Sequence, residues 1–162
     1  MRSNRRDEVK VKPLVGKAAM HIPIVEDDEV VADVLGMTLK EAGFFQSTAY
    51  NIETALAELK RNAIDAVLLD INLPDGVGTR LARLIRKNHM PLPILVVSGN
   101  ASTDDKIAAL GAGADGYLTK PFDRFEHLAK LDAIIRRTHG HSSVTARSRS
   151  ATLKLTSTAI RR

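Results

Sequence analysis

Glu26 and Asp27 directly follow the apolar run "HIPIV", and Asp70 directly follows "AVLL". Two further apolar runs end in polar groups of another kind: "ILVV" in Ser98, and "DGYLT" in Lys120-Pro121. A short continuous apolar run closed by a turn signal reads as a strand buried on both faces. These polar residues therefore sit at the carboxyl ends of core strands. If the first and third strands are neighbours, Glu26, Asp27 and Asp70 converge, and unscreened carboxylates at short range demand a cation between them. Oxygen donors without His or Cys suit a hard ion, and a few carboxylates plus water is the pattern of Mg²⁺. With the Lys120 ammonium and the Ser98 hydroxyl on neighbouring strands, an aspartate beside such an ion can accept a phosphoryl group, its oxygens neutralised and hydrogen-bonded. Asp70 is the expected nucleophile.

Taken singly, each residue has a plainer reading. An Asp at a strand end is usually a turn or cap residue, Lys120 a solvated lysine, Ser98 a loop hydroxyl and Tyr117 a core ring with a wet tip. Convergence of the whole set outweighs those readings. Other phosphate chemistries leave marks that this chain lacks: no G-x-x-x-x-G-K-[ST] loop, and acids rather than G-x-G-x-x-G after the first strand. The D-x-D-x-[TV] pattern of haloacid-dehalogenase phosphatases fails at Asn72, and the acid pair precedes the nucleophile instead of following it.

The elements that must position these groups alternate in type. After strand "HIPIV", in which Pro23 must lie at the start or on a locally unpaired side, a helix runs from a cap at Asp28 to Gly43, with Val31, Val34, Leu35 and Leu39 on one face. "FFQSTAY" is a second strand, and Asn51 caps a helix with Ile52, Ala55, Leu56 and Leu59 inward. The Asp70 strand leads through Pro74 and Gly76 into a helix with Val77, Leu81, Leu84 and Ile85 on one face. "ILVVS", the helix "STDDKIAALGAG", the strand "DGYLTK" and the helix "DRFEHLAKLDAIIRR" complete five strand-helix alternations. That alternation calls for a doubly wound α/β fold, a parallel sheet with helices on both faces, whose ligands bind at the carboxyl edge where strand order reverses.

Composition is consistent with one such domain carrying appendages. The chain has 162 residues, 44% of them hydrophobic, and no cysteine, which excludes disulfides and thiolate metal sites and fits the cytoplasm. No apolar run is long enough for a membrane span. The net charge of +5 is unevenly divided: residues 1–19 hold six Lys/Arg and two acids, residues 136–162 seven Lys/Arg and no acid, and residues 20–135 are acidic. Both basic ends read as solvated flanking segments rather than nucleic-acid sites, and "HGH" at His139 and His141 lacks a third metal ligand.

The set "VEDD", "LLDINLPDG", "LVVSG" and "GADGYLTKPF", in this order at these strand ends, resembles the receiver domain of two-component response regulators over residues 20–137. The resemblance implies a flavodoxin-like five-stranded parallel sheet of order 2-1-3-4-5 with five helices. It implies a phosphoacceptor, not an enzyme acting on other substrates: Asp70 takes a phosphoryl group from a histidine kinase or histidine phosphotransfer protein. Glu26, Asp27, Asp70 and the backbone carbonyl of Asn72 would hold Mg²⁺, with Asp28 a flanking acid or helix cap. Lys120 would pair with the phosphate, Pro121 would follow a cis peptide, Ser98 would be the switch hydroxyl and Tyr117 the aromatic that turns inward. The face made by helix 4, strand 5 and helix 5 would then change its partner preference.

Within that family, "TKPFDRFEHLAKLDAIIRR" is similar to the OmpR/PhoB type, in particular the CtrA-type cell-cycle regulators, which also have "SG" after strand 4. Those proteins dimerise through charge pairs on that same face. Lys106 and Glu126 match, but Gly116 stands where an acid would pair with Lys130, and Gly111 and Asp132 also depart, so a homodimer would lack part of its charge set. Residues 1–19 read as a basic extension that precedes Met20, where relatives begin. Residues 138–162 read as a basic linker or tail, in which "SATLKLTSTAIRR" is faintly similar to the start of a winged-helix effector domain. Specific DNA binding is not expected from this chain. Two alternatives stand beside the phosphoacceptor receiver: the input domain of a truncated DNA-binding transcriptional regulator, and an aspartyl-phosphate phosphatase.

Overall fold

A computed structural model of the chain describes residues 20–140. The basic extension over 1–19 and the tail from 141, with His141 and the faint effector-domain likeness, lie outside the described residues. The elements in order are β1 (His21–Val25), α1 (Glu29–Glu41), β2 (Phe45–Ala49), α2 (Ile52–Arg61), β3 (Val67–Leu69), β4 (Asn72–Leu73), β5 (Gly76–Val77), α3 (Thr79–Lys87), β6 (Ile94–Ser98), α4 (Thr103–Gly111), β7 (Gly116–Thr119) and α5 (Glu126–Gly140). The helix α5 thus runs past the boundary at 137.

Five strands form one parallel sheet in the order β2-β1-β3-β6-β7. With the small antiparallel hairpin β4-β5 set apart, this is the 2-1-3-4-5 order expected. The hairpin was not: the sequence reads there only as a turn, because two rungs are too few to carry a period. Pro23 sits in the third position of β1, where β1 pairs with β2 along its whole length but with β3 only at Ile24 and Val25. The missing N–H is therefore tolerated on the unpaired stretch.

Alternate side chains of the central strands feed two separate cores. Val67 and Leu69 of β3, with Ile94 and Val96 of β6, pack against Ile52, Ala55 and Leu59 of α2, Leu81 and Ile85 of α3 and Ala109 of α4. Leu68, Leu95 and Val97 point the other way, onto Ala32, Leu35 and Leu39 of α1 and Leu128, Leu131 and Ile135 of α5. Two expected core residues lie elsewhere. Val34 is exposed because α1 turns Ala32, Leu35 and Leu39 to the sheet. Val77 is exposed because it belongs to β5, before α3 begins. Val31, Leu56 and Leu84 are partly buried at the margins of their faces. Among the described residues, no helix is long and apolar enough to cross a membrane.

Candidate functional site

The site forms where β1 and β3 end side by side. Val25 pairs with Leu69, and its carbonyl accepts the Asp70 N–H at 2.9 Å, so Glu26 and Asp70 leave adjacent strands at the same level. The Glu26 N–H is held in turn by the Ala49 carbonyl of β2 at 3.0 Å. Glu26, Asp27 and Asp70 each present a carboxylate oxygen within 4.8 Å of the others. Asp28 stands outside this group: its Oδ1 accepts from Val30 N–H and Val31 N–H, capping α1.

Glu26 and Asp70 are buried and Asp27 is exposed. Lys120 Nζ lies 2.8 Å from Glu26 Oε2 and 3.6 Å from Asp70 Oδ2. Burial works against the lysine charge, but the two carboxylates outweigh it and raise the Lys120 pKa. Burial pushes Glu26 up to about 7, with the bond to Lys120 opposing and the Asp70 charge adding to the rise. The second Glu26 oxygen accepts from Asp28 N–H at 3.2 Å, whereas Asp70 Oδ1 is buried with no hydrogen-bond partner among the described residues. Among the described residues, one cation, Lys120, thus serves an acid cluster in which a buried oxygen is left over. A hard divalent ion fits that deficit: the donors are all oxygens, one of them is orphaned, and the cluster has an open, exposed member in Asp27.

Backbone close to Asp70 is tightly specified. Gly78 N–H donates to the Ile71 carbonyl at 2.6 Å, and a Cβ on Gly78 would collide with the Asp70 carbonyl oxygen. Asn72, expected to offer its carbonyl, begins β4 with its side chain exposed.

On the other side, Ser98 ends β6, next to β3 in the sheet, and is fully buried. Its Oγ accepts from Asn100 N–H at 3.2 Å, and its carbonyl accepts from Lys120 N–H at 2.8 Å. Tyr117, from β7, is partly buried against the core that includes α2, α3 and α4, and its hydroxyl donates to the Asn100 carbonyl at 2.7 Å. The Lys120–Pro121 peptide is cis.

The expected residues are therefore brought to one edge, with Glu26, Asp27, Asp70 and Lys120 in direct proximity and Ser98 and Tyr117 joined through Asn100. Asn100 and Gly78 escape a reading of side-chain chemistry because each acts through its backbone.

A family model described as "Response regulator receiver domain" matches residues 22–132. The cell cycle response regulator CtrA of Brucella ovis is 39% identical over 123 residues, which cover 76% of this chain and 53% of that protein. CtrA of Brucella anthropi matches to the same extent, so the chain spans about half the length of the curated relatives it matches. A CheY-like response regulator receiver domain from Methanospirillum hungatei JF-1 superimposes with a TM-score of 0.73 at 28% identity, covering 77% of this chain and all of that one. A two-component response regulator from Clostridium difficile gives 0.69 at 34% identity, over 73% of this chain and 97% of that one. These matches do not favour the phosphatase alternative. Sheet order, the acidic edge and a family match over most of the described residues agree: the chain belongs to the response regulator receiver domain family.

Proposed function

We propose that Asp70 is the phosphoryl acceptor of this receiver domain. The observation that carries the reading is the state of its carboxylate: buried, 3.6 Å from Lys120 through Oδ2, orphaned at Oδ1, and grouped with Glu26 and Asp27. Receiver domains are generally phosphorylated by histidine kinases and generally bind Mg²⁺ at such an acidic site. Glu26, Asp27, Asp70 and the Asn72 carbonyl are the groups that would hold the ion; when bound, it would neutralise the carboxylates and an oxygen of the incoming phosphoryl group.

An Asp70 oxygen then attacks phosphorus in a phosphohistidine or acyl phosphate, and the leaving nitrogen or oxygen takes the electron pair of the bond that breaks. Lys120, kept protonated by its two carboxylate neighbours, remains at hand to pair with the new charge. Ser98 turns its hydroxyl to a phosphoryl oxygen, which releases Asn100 N–H and pulls the loop that Tyr117 also holds. The face of α4, β7 and α5 is thereby altered for a partner.

Charges for a homodimer on that face are largely engaged within the chain. Lys130 Nζ donates to the Tyr117 carbonyl at 2.9 Å, and Glu126 Oε2 accepts from Asp123 N–H at 3.4 Å. With glycine at 111 and 116, the phosphorylated chain is expected to find its partner in another protein rather than in itself.

Intact mass after incubation with Mg²⁺ and acetyl phosphate tests the central claim. Wild type gains one phosphoryl group and Asp70→Asn gains none; equal gain by both, or none by either, overturns the reading.

A further inference from the structure

We propose that Asp75 is a positioning residue for the metal-holding loop: by clamping the tip of the β4-β5 hairpin to the first turn of α2, it fixes Asn72, two residues beyond Asp70, whose carbonyl would hold the ion. The inference rests on the reading of Asp70 as an Mg²⁺-assisted phosphoacceptor.

Asp75 lies in the two-residue turn between Leu73 and Gly76. Its carboxylate does not serve its own turn alone. Oδ1 accepts from Ile52 N–H at 2.9 Å and Oδ2 from Glu53 N–H at 3.0 Å, partners 23 and 22 residues upstream. Those are first-turn donors of α2, which have no carbonyl partner within the helix and lie at the positive end of its dipole. They hold the Asp75 carboxyl below its ordinary pKa. A third donor of that turn, Thr54 N–H, is taken locally by Asn51 Oδ1 at 2.7 Å. Thus α2 has two caps of different origin, and only the remote one reaches the hairpin.

A second contact joins the same two elements. Gly76 has φ +150°, and a Cβ there would lie 3.2 Å from Ile52 Cδ1, so the hairpin packs against the first residue of α2. The hairpin itself has only the rungs Asn72 to Val77 and Leu73 to Gly76. A ribbon this short does not hold its own geometry in water. It is fastened at its base by Gly78 N–H to the Ile71 carbonyl and at its tip by Asp75. Asn72 lies between the two fastenings, so releasing the tip leaves its carbonyl on a ribbon hinged at one end.

The full chain, titrated with MgCl₂ at pH 8 by calorimetry, separates positioning from simple capping. Asp75→Ala is expected to weaken Mg²⁺ binding by about tenfold, the low end of what loss of an outer partner does to a metal site. Asn51→Ala removes the other cap of the same helix, so it should lower thermal stability comparably yet leave Mg²⁺ affinity within about twofold of wild type. Asp75→Asn, which keeps one acceptor, should fall between Asp75→Ala and wild type. In wild type, Mg²⁺ should also slow hydrogen exchange at Ile52 and Glu53 N–H more than at Thr54 N–H. Equal Mg²⁺ affinity in Asp75→Ala and wild type, or equal weakening by Asp75→Ala and Asn51→Ala, overturns the inference. So does exchange unaffected by Mg²⁺, which keeps the question decidable if Asp75→Ala fails to fold. A wild-type chain that binds no Mg²⁺ instead overturns the phosphoacceptor reading, and the inference with it.

Discussion

Tyr117 and Ser98 hold opposite ends of one residue: the Tyr117 hydroxyl donates to the Asn100 carbonyl at 2.7 Å, and Asn100 N–H donates to Ser98 Oγ at 3.2 Å. Any shift of the Ser98 hydroxyl toward a phosphoryl group is therefore felt at the β7 ring through a single backbone unit. Tyr117→Phe keeps the ring and removes the bond, at about 1 kcal/mol of stability. Phosphoryl uptake by Asp70 should persist, while the amide shift changes that beryllium fluoride with Mg²⁺ causes from Asn100 to Lys106 should shrink in NMR spectra. Undiminished changes there would remove Tyr117 from the switch.

Glu26 makes Mg²⁺ binding depend on pH. Burial holds its carboxyl near 7, against the pull of Lys120, so below neutrality the ion must displace a proton. Affinity is expected to climb from pH 6 to about 7 and flatten above 8, with proton release measurable by calorimetry in buffers of different ionisation enthalpy. In Glu26→Gln the affinity should be lower at every pH and its slope absent.

His127 sets an acid limit on stability. It is fully buried beside the edge of Phe122, and burial lowers its pKa to about 4, although the backbone and the charge of Asp123 favour the protonated ring. The unfolded chain binds this proton near 6.5, so the contribution is fully present above that pH and is lost as pH falls toward 4, by up to about 3 kcal/mol. Glu26, with its folded pKa above its unfolded one, slopes the other way between about 4.5 and 7 in the metal-free protein. Denaturation of wild type and His127→Leu side by side isolates the histidine, because Glu26 is common to both. A stability difference that does not change with pH would contradict this assignment.

Two glycines should respond oppositely to alanine. At Gly78 a Cβ meets the Asp70 carbonyl, which is backbone and cannot swing aside, so Gly78→Ala is expected to cost about 2–3 kcal/mol and to cut phosphoryl uptake. At Gly111, the last residue of α4, no described residue lies within 4 Å of the new methyl group, and Gly111→Ala should stabilise by roughly 0.5–1 kcal/mol. Urea denaturation of both variants reads the contrast.

What was legible in the sequence was what side-chain type encodes locally. The apolar runs ending at Glu26, Asp70, Ser98 and Lys120 marked the strands and their edge, and Asp28 and Asn51 marked the helix starts they do cap. Strand order came only with the family resemblance, since no local pattern says which strands are neighbours. Val34 and Val77 misled because an apolar residue next to a buried stripe looks the same as one within it. Asp75 gives no local sign of its clamp, because its partners, Ile52 and Glu53, are near it only after folding. Asn100 carries its bonds on the main chain, where residue type says least.

The division of β3 side chains between two cores has a consequence for how substitutions combine. Leu69 touches only the side built with α2, α3 and α4, and Leu68 only the side built with α1 and α5, with the sheet backbone as the wall between them. Changes on opposite sides share no packing neighbours, so their free energies should sum, whereas pairs within one side should not. The α1 side can then be varied without retuning the α3 and α4 packing on the other side of the sheet. In evolutionary terms the domain is two independently editable compartments that share the strands of one sheet.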